Sequence, residues 1–224
     1  LFLYFIVVIS DYFLNLTRYS KIREAHNILT LRKQTEDRVY IKEAKKNNFS
    51  PLILPFVYSD DKEIRNKFID EILPVNGQPN KNVYFCNEGY GLIKFKTDRF
   101  GLRNNDKIWD EYNFNNKDTI VFIGDSYVAG SCVEENQTIP GYFKEKYNSI
   151  NLALPGNMPT MYASLSKIYI PVIKPKYAVL IFYGNDYTYV GAHGSGFLIN
   201  LNIPNIHERY FDKKNNSLEL SDEI

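Results

Sequence analysis

Three short, mostly apolar runs define the pattern of the second half of the chain. They cover residues 119–123, 150–154 and 177–183, and each is followed by a glycine-bearing turn. Apolar runs without polar alternation are typical of parallel strands that are covered on both faces. We therefore predict three parallel strands in one sheet.

Helical segments are predicted between these strands. Thr138 and Pro140 supply a capping hydroxyl and a first-turn proline, which predicts a helix that runs to about Tyr147. A second helix is predicted from about Thr160 to Ile168, with Pro171 and Pro175 closing it. Strands that alternate with crossover helices predict a three-layer α/β domain over residues 117–224.

The first half of the chain has a different pattern. Residues 17–75 interleave charged and apolar positions, which predicts a linker region of one or two amphipathic helices. Turn-forming residues from Pro74 to Lys81 mark a boundary. Two short β runs, Val83–Phe85 and Leu92–Phe95, flank a glycine-bearing turn, so residues 76–116 are predicted to be a β lead-in that contains a hairpin.

The amino terminus is strongly apolar. Leu1–Ile9 contains nine apolar residues, whereas a membrane-spanning helix needs about 20. We expect residues 1–16 to be the remainder of a membrane anchor, and a buried strand or helix is the alternative. The chain begins without Met and stops without a terminal signal, so we expect a fragment.

Composition excludes several classes of function. The 27 basic and 26 acidic residues nearly balance, which argues against a nucleic-acid-binding surface. Histidines and cysteines do not cluster with metal-ligand spacing, and no Gly-x-Gly-x-x-Gly fingerprint follows a strand, so neither a metal nor a cofactor is predicted. The frequent aromatic residues suit sheet packing, and an aromatic groove for a glycan is the alternative.

The turns after the three runs carry the candidate chemistry. Gly124-Asp125-Ser126 follows the first run, Gly156 follows the second, and Gly184-Asn185-Asp186 follows the third. Parallel strands end at the same edge of a sheet, where α/β folds bind their ligands. A serine hydroxyl beside backbone and amide N–H donors suits attack on an acyl carbonyl.

This order of motifs resembles the SGNH (GDSL-type) hydrolase superfamily, from about Asn82 to Asp186. The resemblance implies a flavodoxin-like fold with Ser126 as the nucleophile. It also implies an oxyanion hole formed by the Gly156 N–H and the Asn185 side chain.

The segments Asp98–Gly101 and Tyr183–Asp186 are similar to those of a bacterial group anchored in the inner membrane, with the domain on the periplasmic side. The resemblance implies an esterase that acts on O-acyl, chiefly acetyl, groups of an envelope polysaccharide or similar carbohydrate. A polysaccharide O-acyltransferase and a non-catalytic binding module of exopolysaccharide assembly are the alternatives.

Neighbouring residues are expected to support the site. Gly124 and Gly184 permit the turns, Asp125 is expected to hold its turn by accepting nearby N–H groups, and Asp186 to fix the loop after the third strand. Asp98 and Arg99 are either a substrate clamp or an ordinary edge contact.

The general base is missing from the pattern. In SGNH enzymes it belongs to an Asp-x-x-His block, but Val190 and Pro204 stand three residues before His193 and His207. Three explanations remain open: a fragment that lacks this block and some of about five strands, a substitute base, for which His193 is better placed, or a non-catalytic relative. We expect this fragment to be inactive alone.

Cys86 and Cys132 are the only two cysteines. An exported domain favours a disulfide that ties the lead-in hairpin to the nucleophile loop. Two independent reduced thiols are the alternative.

Overall fold

The computed structural model describes residues 38–55, 72–86, 92–110, 118–187, 197–214 and 217–222. The predicted anchor over residues 1–16 lies outside these ranges. Within them, every helix is too short or too polar to cross a membrane.

The described chain is a mixture of short strands and helices. The strands are β1 (Ser50–Pro51), β2 (Asn82–Phe85), β3 (Ile93–Lys96), β4 (Thr119–Ile123), β5 (Asn148–Asn151), β6 (Tyr177–Leu180), β7 (Phe211–Lys214) and β8 (Ser217–Leu220). The α-helices are α1 (residues 38–46), α2 (Ser126–Ala129), α3 (Ile139–Phe143), α4 (Pro159–Ile173), α5 (Leu198–Asn202) and α6 (Ile206–Tyr210). Short 3₁₀ helices cover Asp106–Trp109, Glu135–Gln137 and Gly184–Tyr187.

The central sheet contains the three predicted parallel strands, in the order β5-β4-β6. Val121 in the middle strand lies opposite Ile150 on one side and Ala178 on the other. All five residues of β4 are buried. The pairing extends beyond both outer strands, because the Leu152 and Ile181 N–H groups donate to β4 carbonyls at 2.9 and 3.0 Å. The prediction of one parallel sheet in an α/β domain is confirmed.

The first crossover helix starts as predicted but ends early. The Thr138 hydroxyl accepts the Gly141 N–H at 2.9 Å, and Pro140 lies in the first turn. The helix stops at Phe143, whose carbonyl accepts the N–H groups of Lys146 and Tyr147 in a turn. This turn leads directly into β5.

The second crossover helix is longer than predicted. Helix α4 continues to Ile173 with Pro171 inside it, so the prediction that Pro171 closes the helix is wrong. Pro171 lies in the last turn, where it removes one hydrogen bond. Eight α4 residues are buried, and this packing offsets the loss. Lys174 ends the helix in the left-handed region, at φ 49°.

One apolar core joins segments from both sides of the boundaries predicted near residues 76 and 117. Strands β4 and β5 and helix α4 share it with Val75, Phe100 and Trp109 from the preceding segment. Tyr210 and Leu218 from the following segment also belong to it. The lead-in therefore packs in the same core as the sheet and supports it.

The hairpin of the lead-in forms as predicted, with β2 and β3 antiparallel. Strand β1 adds in parallel to β2, although a two-residue strand has no pattern that the sequence could reveal. Cys86, directly after β2, forms a disulfide with Cys132, and their Cα atoms are 5.0 Å apart. This is the predicted pair, within the roughly 7 Å that bonding requires. The bond ties the hairpin to the chain just beyond α2.

Asp98 is the polar centre of the lead-in. Its side chain is 1% exposed, and its oxygens accept hydrogen bonds from the Phe100 and Leu102 N–H groups, Asn104 Nδ2 and Trp109 Nε1 at 2.8–3.0 Å. Burial raises the pKa of Asp98 to about 6, against the lowering effect of these four donors. Both carboxylate oxygens of Asp98 are therefore occupied by hydrogen bonds from within the fold.

Arg99 binds carboxylates rather than facing a cleft. Its guanidinium forms ion pairs with Asp106, Asp110 and Glu219. Of the two interpretations of Asp98 and Arg99, these contacts favour the structural one over the substrate clamp.

The disulfide should stabilise the fold measurably. Replacing both cysteines, Cys86→Ser with Cys132→Ser, should lower the free energy of unfolding by about 2–4 kcal/mol, because the bond closes a loop with a sequence separation of 46 residues. Urea unfolding monitored by circular dichroism measures this. An unchanged midpoint, or a wild type insensitive to reductant, would contradict it.

Asp98 should give stability a characteristic pH dependence. Because its folded pKa of about 6 lies above the ordinary 3.8, its contribution is fully present below about pH 3.8 and is lost as pH rises through 6. The difference in unfolding free energy between wild type and Asp98→Asn should shrink by about 2 kcal/mol between pH 4 and 7. Asp118→Asn, at an exposed pair with Lys176, controls for net charge. A difference that grows with pH would refute the expectation.

Candidate active site

Ser126 is the first residue of α2, directly after the turn that ends β4. The Asp125 carboxylate accepts the Tyr127 N–H at 3.0 Å and caps this short helix, as predicted. The Ser126 hydroxyl is half-buried and donates to Asp125 Oδ2 at 3.4 Å. That distance exceeds the ordinary range of about 2.5–3.0 Å, so Asp125 is primarily a capping residue.

The glycines of the three turns differ in whether their surroundings and backbone conformation would tolerate a side chain. A Cβ on Gly124 would lie 2.3 Å from Val128 Cγ2 and 3.1 Å from the Ile181 carbonyl oxygen, so α2 and the chain after β6 approach too closely for a side chain. Gly156 adopts φ 78°, which other residues rarely do. Around Gly184 a Cβ would meet nothing within 4 Å, so the expected need for glycine there is not steric.

A polar ladder holds the chain that leads to Gly156. Asn104 Oδ1 accepts the Asn151 N–H at 2.8 Å, and Asn104 Nδ2 donates to the Asn151 carbonyl at 3.0 Å. Asn151 Oδ1 in turn accepts the Ala153 N–H at 2.9 Å. The ladder begins at Asp98, so the buried centre of the lead-in supports this turn. Gly156 itself is exposed.

The third turn is fixed by Asp186, as predicted. Its carboxylate accepts the Tyr183 N–H at 2.7 Å, its own N–H donates to the Tyr183 carbonyl at 3.0 Å, and it is 2% exposed. The backbone of residue 185 lies in the 3₁₀ helix that follows. The Asn185 side chain lies outside the described part of the structure.

Tyr162 on α4 lies between the second and third turns, and sequence reasoning missed it. Its hydroxyl donates a hydrogen bond to the Asn157 carbonyl oxygen at 3.3 Å, and the Asp186 carboxyl group lies nearby. Burial raises the pKa of Tyr162 well above its usual range, and the charges of Asp186 and Asp125 raise it further. In the sequence, a tyrosine on an apolar helix face indicates no more than an ordinary core position.

The edge of the sheet carries negative charge. Asp125 and Asp186 are each 2% exposed, and neither forms an ion pair with a basic residue in the ranges that the structure describes. Burial, and then the charge of Asp186, raise the pKa of Asp125. A ligand at this edge therefore approaches two buried carboxyl groups.

Two exposed tyrosines flank the serine. Tyr127 follows Ser126, and Tyr183 precedes the third turn. They are 54% and 46% exposed, and their ring centroids lie 3.9 Å apart at an interplanar angle of 30°. At this separation the two rings stack on each other, close in sequence to Ser126 and to the third turn.

The described histidine is not placed as a base. His207 lies on α6, with Nε2 4.0 Å from Glu208 Oε1, and it forms no hydrogen bond with Ser126. His193 lies outside the described residues. Within them, acidic residues, histidines and cysteines form no group of three that could hold a metal ion.

Gly124 and Gly184 form a matched pair of test positions. Gly124→Ala should lower the free energy of unfolding by about 1–3 kcal/mol, because the added methyl overlaps Val128. Gly184→Ala should change it by less than about 0.5 kcal/mol, because its surroundings are open. Thermal and urea unfolding would compare the two variants, and equal losses of stability would contradict the steric difference between these turns.

Comparison with known proteins adds no assignment. No protein-family model, curated protein or solved structure matches the chain. Any function must therefore be argued from the chemistry of the residues at this edge of the sheet.

Proposed function

We propose that this protein is a serine ester hydrolase of the SGNH type. One observation carries the proposal: the turns after three parallel strands lie at one sheet edge, and Tyr162 lies between the second and third of them. The first turn carries Ser126, the second Gly156 and the third residue 185. The strand order β5-β4-β6 also matches the first three strands of a flavodoxin-like sheet, which supports that fold.

In the proposed reaction, Ser126 Oγ attacks the acyl carbonyl carbon while a base takes the hydroxyl proton. The carbonyl oxygen becomes an oxyanion, which the Gly156 N–H, the Ser126 N–H and the Asn185 side chain stabilise. Collapse of this intermediate breaks the ester C–O bond, and the alcohol leaves with the proton. Water then hydrolyses the acyl-serine and returns the acid product.

The proposed base is a histidine of an Asp-x-x-His block outside the described residues. Among the described residues, the one hydrogen bond of the Ser126 hydroxyl is the long one to Asp125 Oδ2, at 3.4 Å. An unactivated serine is a weak nucleophile at neutral pH. We propose accordingly that the 224-residue chain is a poor esterase by itself.

The proposed substrate is an O-acylated carbohydrate, such as an acetylated envelope polysaccharide. The exposed side chains of Tyr127 and Tyr183 support this, because aromatic faces pack against the apolar faces of sugar rings. The disulfide suits an oxidising compartment, in keeping with a periplasmic domain anchored to the bacterial inner membrane.

A non-catalytic module that binds the same polysaccharide is the second candidate. The lack of a histidine bonded to Ser126, among the residues described, favours it. It requires sugar binding that is independent of Ser126. A polysaccharide O-acyltransferase would share the serine chemistry and differ in the acceptor, so acetylated glycan would form instead of free acetate.

Ser126→Ala should abolish hydrolysis of p-nitrophenyl acetate and of an acetylated glycan by the full-length protein. Asn185→Ala should lower kcat by about 10²- to 10³-fold, as loss of one oxyanion donor does. Ser131→Ala is the matched control, since its buried hydroxyl has no hydrogen-bond partner among the described residues. Hydrolysis by Ser126→Ala at the wild-type rate would remove Ser126 as the nucleophile.

A further inference from the structure

Tyr162 lies beside both the second and the third turn. It lies in the first turn of α4, and it is 1% exposed. Its hydroxyl donates a hydrogen bond to the Asn157 carbonyl oxygen at 3.3 Å, and the Asp186 carboxyl group lies close enough to raise the pKa of the phenol. Asn157 directly follows Gly156, and Asp186 directly follows Asn185.

The residues that follow the two proposed oxyanion donors, Asn157 and Asp186, thus both lie next to the Tyr162 hydroxyl. A backbone N–H can be aimed only by the conformation of its turn, and Gly156 is at an exposed turn tip with φ 78°. The Asn157 carbonyl, one residue further on, is bound by the buried Tyr162 phenol. This contact restrains the turn. The same phenol restrains the residue after Asn185.

Tyr162 is itself rigid. Helix α4 is anchored in the core by Tyr162, Leu165 and Tyr169, and the Tyr162 ring packs edge-to-face on Phe182 with centroids 5.5 Å apart. Phe182 precedes the third turn by two residues. The ring and the hydroxyl therefore restrain the same segment from two directions.

We propose that Tyr162 is a positioning residue that sets the distance between the Gly156 and Asn185 donors. This proposal rests on the proposed ester hydrolysis, and it assigns Tyr162 no contact with substrate. Loss of the hydroxyl releases both turns while the ring and the helix remain.

The test is Tyr162→Phe in the full-length protein, with Tyr169→Phe as the matched control. Tyr169 lies two turns later on the same helix, is fully buried, and its hydroxyl accepts a hydrogen bond from Asn76 Nδ2 at 2.7 Å. Each substitution removes one buried, hydrogen-bonded phenol hydroxyl. Both variants should therefore lose similar stability in thermal unfolding.

Only Tyr162→Phe should impair the chemistry. We expect kcat for p-nitrophenyl acetate to fall roughly 10- to 100-fold with KM nearly unchanged, because misplaced donors weaken transition-state stabilisation alone. Labelling of Ser126 by a fluorophosphonate probe should slow in parallel, because that reaction uses the same donors. Asp186→Asn, which alters the carboxyl group beside the hydroxyl, should reproduce the loss if Tyr162→Phe fails to fold.

The outcomes separate the two proposals. An active wild type in which Tyr162→Phe matches Tyr169→Phe in kcat and labelling overturns the positioning role alone. A loss confined to KM would also overturn it. A full-length wild type that neither hydrolyses the ester nor takes the label at Ser126 overturns the esterase and the positioning role together.

Discussion

The double-sided pairing of β4 is the constraint on which the rest of the structure depends. The strand is buried at all five positions and hydrogen-bonded to β5 on one edge and β6 on the other. A slip of one residue in either partner would move its turn by about 3.3 Å and turn its side chains to the opposite face. Register alone therefore brings Ser126, Gly156 and the backbone of residue 185 to one edge.

The segment before the sheet maintains this register from the side. Asp98 gathers four donors, and through Asn104 its network reaches the last residue of β5. A buried carboxylate is costly to desolvate, and the four hydrogen bonds offset only part of that cost, because the pKa of Asp98 remains raised. Removal of a single donor would leave an unpaired buried group, so this network specifies one arrangement of lead-in and sheet. The disulfide adds a covalent restraint at the opposite end of the hairpin.

The sequence predicted those features whose cause is local. The runs 119–123 and 150–154 are mostly apolar because these parallel strands are buried, so their place in the sheet could be predicted. The run 177–183 also pairs in the sheet, but β6 is largely exposed, so the expectation that it is covered on both faces is wrong. The capping roles of Asp125, Asp186 and Thr138 involve neighbours within three residues, so their chemistry is visible in the sequence.

Features that depend on tertiary packing could not be predicted. Pro171 remains inside α4 only because the helix buries eight residues, and no local pattern reveals that. The role of Tyr162 could not be predicted, because it depends on two turns that are distant in sequence and approach the same side chain. Val75 belongs to the main core although turn-forming residues surround it, since burial overrides a compositional boundary.

The proposed ester hydrolysis would need anion stabilisation and proton transfer, and the charges at this edge would affect the two in opposite ways. The buried carboxyl groups of Asp125 and Asp186 oppose a developing oxyanion, so well-aimed N–H donors are essential there. The same carboxylates favour a positive charge nearby. A histidine that took the Ser126 proton would become an imidazolium, and both carboxylates would stabilise it and raise its pKa. The edge is thus electrostatically suited to receive a base that the described residues do not supply.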